Sequence, residues 1–412
     1  MSNNIKKEPK IRFPGFTNDW EQHTLLEYAN FRRGAFPQPY GESKWYGGEG
    51  AKPFVQVADV SDNLKLVDTT KQTISKLAQP FSVFVPKDSV IVTLQGSIGR
   101  VALTQYDAFL DRTILYFEKY NKKIDKYFWA YIIQRKFESE ALKAPGGTIK
   151  TITKEALSNF LVKIPYYEEQ TKIGCFFKIL DSHISFHHRR LEILQNIKKG
   201  FLQKLFPKQG ETNPELRFPG FNGDWEQHTL LECANFRRGS FPQPYGESKW
   251  YGGEGAMPFV QVADVADNLK LVDTTKQTIS KLAQPFSVFV PKDSVIVTLQ
   301  GSIGRVALTQ YDAFLDRTIL YFEKYNKKID KYFWAYIIQS KFESEALKAP
   351  GGTIKTITKE ALSNFLVNIP CYEEQLKIGH FFKILDSNIS FYKSNFEILQ
   401  NIKKGLLQQM FV

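Results

Sequence analysis

The sequence predicts a mixed α/β protein: two repeated α+β domains separated by a long antiparallel two-helix coiled coil, with pseudo-twofold symmetry. Two observations carry this prediction. Residues 11–206 recur as residues 216–411 without a gap and with only 21 differences, which marks a duplicated unit. Each copy ends in a long proline-free stretch whose apolar residues alternate steps of four and three, which is typical of a helix packed lengthwise on another helix.

The duplication sets the domain boundaries. They are an N-terminal tail (1–10), a first domain (11–165), a first spacer helix (166–206), a linker (207–215), a second domain (216–370) and a second spacer helix (371–412). Because the stretch 62–134 recurs unchanged as 267–339, we expect both domains to share one shape and one surface chemistry. The linker is too short to span a spacer helix, so we expect the two helices to pack antiparallel.

The helical stretch from Glu168 to Phe206 spans about 55–60 Å at about 1.5 Å per residue, too long to be buried in one small domain. Its predicted seam consists of Ile173, Phe177, Leu180, Ile184, His187, Leu191, Leu194, Phe201 and Leu205. Lys198 interrupts the seam, and we expect the neighbouring Ile197 to cover part of the gap. The second stretch repeats this pattern, with Lys403 at the interruption.

Within each domain, turn residues separate short apolar runs. In the first copy the predicted strands are Phe54–Val60, Ser82–Val85, Val90–Leu94, Val101–Thr104, Thr113–Phe117 and Leu161–Pro165. The predicted helices are Ile124–Leu142 and a short one at Lys154–Asn159, and Phe31–Gly50 is predicted to be a glycine- and aromatic-rich loop. We interpret Tyr127, Phe128, Trp129 and Tyr131 as core residues rather than a base-stacking platform.

Charge and cysteine usage narrow the possible partners. Lys and Arg number 55 against 43 Asp and Glu, so the net charge is +12, which suits nucleic acid first and an anionic membrane surface second. A basic protein without either partner fits the charge equally well. The three cysteines, Cys175, Cys233 and Cys371, align with other residue types in the opposite copy, so we expect no disulfide framework, no metal site and a reducing cytoplasm. The N-terminus lacks a signal peptide and no run of about 18 apolar residues exists, so we expect no membrane partner.

Sequence motifs lie at the end of each domain and within its spacer helix. They are Ile164–Gln170 (IPYYEEQ), Leu191-Glu192, Lys199–Phe206 (KGFLQKLF) and the upstream Gly146–Thr148, with matching segments at Ile369-Pro370, Glu373–Gln375 and Gly405–Gln408. With these motifs, nearly the whole chain resembles the specificity subunit of type I restriction-modification systems.

This resemblance implies two target-recognition domains, each reading half of a bipartite double-stranded DNA site. It also implies that the helices set the distance between the two half-sites and dock two methyltransferase subunits. Motor-nuclease subunits are implied to join this core and to cut unmodified DNA. No cofactor is expected on this chain, whereas S-adenosylmethionine, ATP and Mg²⁺ are expected in the partner subunits. Family members usually carry two different domains. Two nearly equal readers should instead read an interrupted palindrome, with half-site centres about 10 bp apart.

Loops that combine basic, amide and aromatic side chains with glycine are the candidates for DNA contact. In the first copy they are Arg32, Arg33, Gln38, Tyr40, Lys44, Trp45, Tyr46, Gln95, Ser97, Arg100, Lys143, Thr148 and Lys150. In the second copy they are Arg237, Arg238, Gln243, Tyr245, Lys249, Trp250, Tyr251, Gln300, Ser302, Arg305, Lys348, Thr353 and Lys355. For each loop the alternative is an ordinary surface loop whose aromatic rings pack on the domain.

No catalytic residue is predicted in this chain. The Asn/Asp-Pro-Pro-aromatic motif of an adenine methyltransferase, a Walker lysine loop and a His-Glu-x-x-His motif are all missing from the sequence. Glu42-Ser43-Lys44 superficially matches a nuclease Glu-x-Lys, although no suitable upstream acidic residue can be argued. The alternatives to a recognition subunit are a stand-alone metal-dependent nuclease and a coiled-coil scaffold that binds no nucleic acid.

Overall fold

The structure, a computed structural model, describes residues 8–61, 63–143, 157–208, 210–266, 268–348 and 362–411, without the side chains of 141–143, 343–344 and 346–348. It divides into two compact units. The first unit comprises Met1–His188 with Asn395–Val412, and the second comprises Arg189–Ser394. Each unit therefore combines one domain, the first part of the spacer helix that follows it and the last part of the other spacer helix.

The described part of the first unit contains three small sheets. Its strands are β1 (Glu21–Thr24), β2 (Ala29–Arg33), β3 (Lys52–Val55), β4 (Gln72–Ile74), β5 (Val83–Val85), β6 (Val90–Thr93), β7 (Val101–Leu103), β8 (Ala108–Leu110), β9 (Ile114–Tyr120) and β10 (Leu161–Ile164). The sheet orders are β2-β9-β6-β7, β4-β3-β8-β5 and β1-β10. The pairs are antiparallel except for β3 with β8. Its helices are α1 (Leu25–Tyr28), α2 (Lys126–Lys143) and the first part of α3 (Tyr167–Lys204).

The second unit repeats this topology. Its strands are β11 (Glu226–Thr229), β12 (Ala234–Arg238), β13 (Met257–Val260), β14 (Gln277–Ile279), β15 (Val288–Val290), β16 (Val295–Thr298), β17 (Val306–Leu308), β18 (Ala313–Leu315), β19 (Ile319–Tyr325) and β20 (Leu366–Ile369). Its helices are α4 (Leu230–Cys233), α5 (Lys331–Lys348) and the first part of α6 (Tyr372–Met410). The mixed α/β fold class with two repeated domains is therefore confirmed.

Most predicted strands are confirmed, and the errors occur where polar residues begin or end a short strand. Phe54–Val60 was predicted to be one strand, but the strand is β3 and Val57–Asp59 forms a 3-10 turn. The loop prediction for Phe31–Gly50 is wrong at its start, because β2 extends through Arg33. Strands β1 (Glu-Gln-His-Thr) and β4 (Gln-Thr-Ile) were missed because they contain few apolar residues, and β8 was missed as well. Most of the helix predicted at Lys154–Asn159 lies outside the described residues.

The main core of the first unit lies between the β2-β9-β6-β7 sheet, α2 and the start of α3. Phe128, Trp129 and Tyr131 are 0 % exposed, which confirms their assignment as core residues, whereas Tyr127 is half-buried and packs against this core. Phe411, which follows the last turn of α6, is also buried in this core. The unit is thus closed by a segment from the far end of the chain.

The two helix segments of the first unit run antiparallel. Asp181 contacts Lys403, and seven residues further along α3, His188 contacts Phe396, which precedes Lys403 in the chain. The same direction holds in the second unit, where Phe206 contacts Phe382 and Lys198 contacts Asp386. The predicted seam is confirmed by the burial of Ile173, Phe177, Leu180 and Leu191. The side chain of Ile197 is 39 % exposed, and Lys198 is accommodated in the seam by its ion pair with Asp386.

The start of α3 is tied to its domain by the residues of the Glu-Glu-Gln motif. The guanidinium of Arg12 donates two hydrogen bonds, of 2.7 and 2.8 Å, to the buried carboxylate of Glu169. The amide of Gln170 accepts from the backbone N–H of Asp125 and donates to the carbonyl of Pro165. These contacts give the motif a structural role, which is to fix the helix on the domain.

Gly174 allows α3 to approach the N-terminus of α2. A Cβ on Gly174 would lie 2.7 Å from Cγ of Asp125, whose carboxylate accepts the Phe128 N–H at 2.8 Å and caps α2. We expect Gly174→Ala to lower the free energy of unfolding by about 1–3 kcal/mol, because the carboxylate cannot move without losing the cap. Urea titration of the full chain measures this loss.

The matched control is Gly200→Ala in the same helix, where nothing lies within 4 Å of the added Cβ. This change should leave stability unchanged or raise it by up to about 1 kcal/mol, because alanine is the better helix former. An equal decrease in the free energy of unfolding in the two variants would contradict the explanation that Gly174 is needed for the close approach of α3 to α2.

Candidate nucleic-acid interface

Three segments meet at one end of the β2-β9-β6-β7 sheet. Arg33 at the end of β2 pairs with Leu115 of β9, and Thr93 at the end of β6 pairs with Ile114. Because these pairs are antiparallel, the loops after β2 and β6 leave from the same end as the turn that enters β9. We call residues 33–46, 56, 95–100 and 111–113 the recognition edge; its counterpart is residues 238–251, 261, 300–305 and 316–318.

Asp111 organises the recognition edge. Its buried carboxylate accepts from the backbone N–H and hydroxyl of Thr113, at 2.9 and 2.5 Å, and from the Tyr40 hydroxyl at 2.9 Å. The amide of Gln56 donates to the Tyr40 hydroxyl at 3.0 Å. Burial and the neighbouring Asp111 raise the pKa of Tyr40 to about 12, so its hydroxyl stays protonated and holds the loop at neutral pH.

Two arginines are brought together beside this tyrosine. Nε of Arg33 donates to the carbonyl of Arg112 at 2.5 Å, and the Arg112 guanidinium lies 5.4 Å from the centre of the Tyr40 ring. Arg32 is exposed and lies 3.7 Å from Glu118. Further along the edge, Arg100 donates to the carbonyl of Val60 at 3.4 Å. The edge is therefore basic and exposed around a buried acid.

Four residues of the recognition edge were not predicted from the sequence: Gln56, Asp111, Arg112 and Thr113. The signal that could have indicated the last three is the polar tripeptide Asp-Arg-Thr between the apolar runs of β8 and β9. A polar turn between two buried strands lies at the end of a sheet, where side chains are open to a ligand.

Glycines allow the recognition edge to pack closely. A Cβ on Gly34 would lie 2.5 Å from the carbonyl oxygen of Leu110, and a Cβ on Gly99 would lie 2.7 Å from Cβ of Phe137. Gly99 also has a φ of +84°, which other residues rarely adopt. These two glycines hold the loops against the domain.

The predicted aromatic residues occupy different environments. Trp45 is buried beside Phe36 and Phe54, and its Nε1 donates to the carbonyl of Pro39 at 3.2 Å. The half-buried Tyr46 ring stacks on Phe36 at 5.2 Å. By contrast, the other predicted residues of this copy whose side chains the structure describes are exposed, except Arg100, which is half-buried; the exposed ones are Arg32, Arg33, Gln38, Tyr40, Lys44, Gln95 and Ser97. The rings of Trp45 and Tyr46 thus pack against the domain and anchor the loop that carries the exposed residues.

The third predicted segment lies mostly outside the described residues. Lys143 and Lys348 are the last residues of α2 and α5, and their side chains lie outside the described residues. The predicted residues Thr148, Lys150, Thr353 and Lys355 also lie outside the described residues.

The second unit builds the same edge. The Tyr245 hydroxyl donates to Asp316 at 3.0 Å and accepts from Gln261 at 2.9 Å, and Arg317 lies 5.6 Å from the Tyr245 ring centre. Trp250 is buried and Tyr251 is half-buried, as in the first copy, and Arg237 lies 3.6 Å from Glu323. The other exposed predicted residues of this copy are Arg238, Gln243, Lys249, Gln300 and Ser302, whereas Arg305 is half-buried.

Two further observations concern the described residues as a whole. Within the described ranges, no group of three or more His, Cys, Asp or Glu side chains is placed to hold a metal ion. None of the helices described is both long and apolar enough to cross a membrane.

Comparisons with known proteins agree with this architecture. The type I restriction modification DNA specificity domain matches residues 17–196 and again residues 222–403. The type I restriction enzyme MjaVIII specificity subunit of Methanocaldococcus jannaschii is 22 % identical over 98 % of this chain and 94 % of its own length. The putative MjaX specificity subunit of the same organism is 22 % identical over 77 % of this chain and 75 % of its own length. The crystal structure of a type I S subunit from M. genitalium shares the fold, with a TM-score of 0.67, 18 % identity and coverage of 98 % of this chain and 99 % of that one.

Proposed function

Because this chain belongs to the type I restriction-modification DNA specificity family, we propose that it is the non-catalytic DNA-recognition subunit of such a complex in the cytoplasm. Each domain reads one half of a bipartite site through the major groove. The spacer helices set the gap and dock two methyltransferase subunits for N6-adenine methylation, and motor-nuclease subunits join for restriction. The observation that carries this proposal is the same basic recognition edge, built twice.

The chemistry of the edge suits base and phosphate contact. An arginine can bind guanine through two hydrogen bonds, and a glutamine can do the same with adenine. Arg33, Arg112, Gln38 and Gln95 offer these groups on loops held by a rigid sheet. The buried Asp111 fixes the loops in advance, which reduces the ordering cost of binding.

The near-identity of the two edges supports a palindromic target. Within the described recognition edge, the first copy has Ala35 where the second has Ser240, and the other residues are the same. The Ser240 hydroxyl donates to the backbone carbonyl of Phe286 at 3.0 Å, so it is engaged within its own domain. Two equal readers related by a twofold axis read the same half-site on opposite strands.

Single-molecule methylation mapping in cells that express this chain with its methyltransferase partner tests the proposal. We expect N6-methyladenine on both strands of one interrupted palindrome. Two unrelated half-sites would overturn the symmetric reading. If an active partner gave no sequence-specific methylation, the recognition function itself would be refuted.

A second prediction concerns Arg112 and its counterpart Arg317. We expect the double variant Arg112→Ala with Arg317→Ala to weaken DNA binding at least tenfold. If both arginines bind phosphates, the slope of log K against log salt should fall by about 2, roughly one for each phosphate that is no longer neutralised. If they bind bases, the salt slope should be unchanged, and the difference in binding free energy between the target and other sequences should decrease by about 1–3 kcal/mol per half-site.

The matched control is Lys119→Ala with Lys324→Ala, which removes two exposed charges at the opposite end of β9 and β19. It should leave both affinity and salt slope nearly unchanged. Equal effects of the arginine and lysine pairs would show that general charge, not the recognition edge, drives binding.

Two other functions make different predictions for the purified chain. A stand-alone nuclease would cleave DNA in the presence of Mg²⁺ without any partner subunit. A scaffold without nucleic acid would show absent or salt-insensitive DNA binding.

A further inference from the structure

The interruption of each helix seam is a buried polar cluster. In the first unit, Nζ of Lys403 on α6 lies 2.7 Å from Oδ1 of Asp181 on α3, and the hydroxyl of Tyr131 on α2 donates to Oδ2 of the same acid. Asp181 is 6 % exposed and Tyr131 is 0 % exposed. Lys403 also lies 5.2 Å from the centre of the Tyr131 ring. One acid therefore joins both spacer helices to the domain.

The second unit contains the same cluster with the helices exchanged. Nζ of Lys198 on α3 lies 2.6 Å from Oδ1 of Asp386 on α6, and the hydroxyl of Tyr336 on α5 donates to Oδ2. Lys198 lies 5.1 Å from the centre of the Tyr336 ring. Asp181 and Lys198 are as far apart along α3 as Asp386 and Lys403 are along α6. One antiparallel register therefore satisfies both ion pairs.

The apolar part of the seam does not select this register by itself. Apolar residues repeat every seven positions, so a shift of one heptad would again place apolar residues opposite one another. Such a shift would set Asp181 opposite Phe396 or Met410, and Lys403 opposite Gly174 or His188. No carboxylate would then face the lysine. A buried charge without its partner is strongly destabilising, and a shift would leave such charges at both clusters.

We infer that the Tyr131–Asp181–Lys403 and Tyr336–Asp386–Lys198 clusters are specificity-determining: they select a single register of the spacer helices and thereby a single gap between half-sites. A one-heptad shift moves one helix by about 10 Å along the other, at about 1.5 Å per residue. This distance corresponds to about 3 bp of B-DNA at about 3.4 Å per base pair. The inference about the gap rests on the proposed DNA-recognition function, whereas the inference about the register does not.

The test removes all polar partners together in the full chain. One variant combines Tyr131→Phe, Asp181→Leu and Lys403→Met, with the equivalent changes at Tyr336, Asp386 and Lys198. Replacing buried ion pairs by apolar residues keeps or raises stability, so the chain should remain folded. With the lysines and acids gone, a heptad-shifted register no longer leaves a buried charge unpaired.

Electron-paramagnetic-resonance distance measurement reports the register without DNA. Spin labels are placed at Ser182→Cys and Glu397→Cys, which are exposed residues of the first unit. The native cysteines are replaced by the residues at the matching positions of the other copy. The native clusters should give one distance between the labels. The apolar variant should add a second population, in which the separation of the labels along the helix axis differs from the native one by about 10 Å. A single unchanged distance in the apolar variant would overturn the inference.

Methylation mapping then tests the consequence for the gap. The apolar variant should modify the native palindrome and also sites whose gap differs by about 3 bp, the axial shift expressed in base pairs. If the distances shift but methylation keeps the native gap, the link between register and gap is refuted. If neither protein methylates specifically while the distances shift, the proposed function fails and the register inference stands.

A charge-swapped variant covers the case in which the apolar variant does not fold. It combines Asp181→Lys with Lys403→Asp, and Asp386→Lys with Lys198→Asp, so that each pair is restored only in the native register. It should give the single native distance. A mixture of registers in this variant would overturn the inference. The control Lys136→Met removes a lysine paired with Glu140 within α2, and should change neither the distance nor the gap.

Discussion

Replacing Phe411 by alanine is expected to destabilise the first unit by about 3–5 kcal/mol, as for other fully buried phenylalanines. The ring is 5 % exposed and lies against four aromatic rings of the core. The distances between ring centres are 5.6 Å to Phe128, 5.8 Å to Phe177, 6.2 Å to Tyr131 and 6.3 Å to Trp20. Removal of this ring leaves a cavity in the core of the first unit, at the place where the C-terminal end of the chain packs against it.

Hydrogen–deuterium exchange measures where the loss occurs. In Phe411→Ala, peptides from the first domain should lose protection, while peptides from the second should keep it. The two domains are distinguishable because Tyr28 in one corresponds to Cys233 in the other. The matched variant Phe206→Ala should show the reverse pattern, because Phe206 is 4 % exposed and stacks on Phe333 and Phe382. Equal loss in both domains from either variant would contradict the division into units.

The long-range organisation of this protein could be predicted from its sequence. A duplication with few differences requires two domains of one fold, and a long proline-free apolar seam requires a helix with a partner. The step that sequence did not provide is the partner of Lys198. A lysine in an apolar seam has no visible counterpart until the opposite helix brings Asp386 to it.

The recognition edge could be predicted only in part. Glycine- and arginine-rich loops indicated Arg33 and Gln95 because such loops stand out locally. Asp111 and Gln56 were missed because their importance depends on hydrogen bonds to Tyr40, which is distant in the chain. Trp45 was predicted as a DNA-contact residue, but its ring is buried. An aromatic residue in a polar loop gives no local sign of whether its ring is buried or exposed.

The half chain of residues 1–206 is expected to form a stable dimer. The first unit is completed by the tail 395–411, and residues 190–206 carry the same key groups: Leu194, Lys198 and Phe206 stand where the tail has Leu399, Lys403 and Phe411. The half chain cannot use its own tail, because α3 is one continuous helix. Phe206 lies about 40 Å along that helix from Phe177, at about 1.5 Å per residue.

Two half chains can therefore exchange tails, so that Phe206 of each enters the core of the other. Sedimentation equilibrium should give twice the monomer mass, with thermal unfolding that shifts to higher temperature as concentration rises. The half chain with Phe206→Ala should dissociate at least tenfold more readily, because each core then loses its closing ring. A monomeric half chain with concentration-independent stability would show that the tail is dispensable and that each domain closes its own core. Dimerisation would instead show that the closing contacts are interchangeable between copies, as their shared residues require.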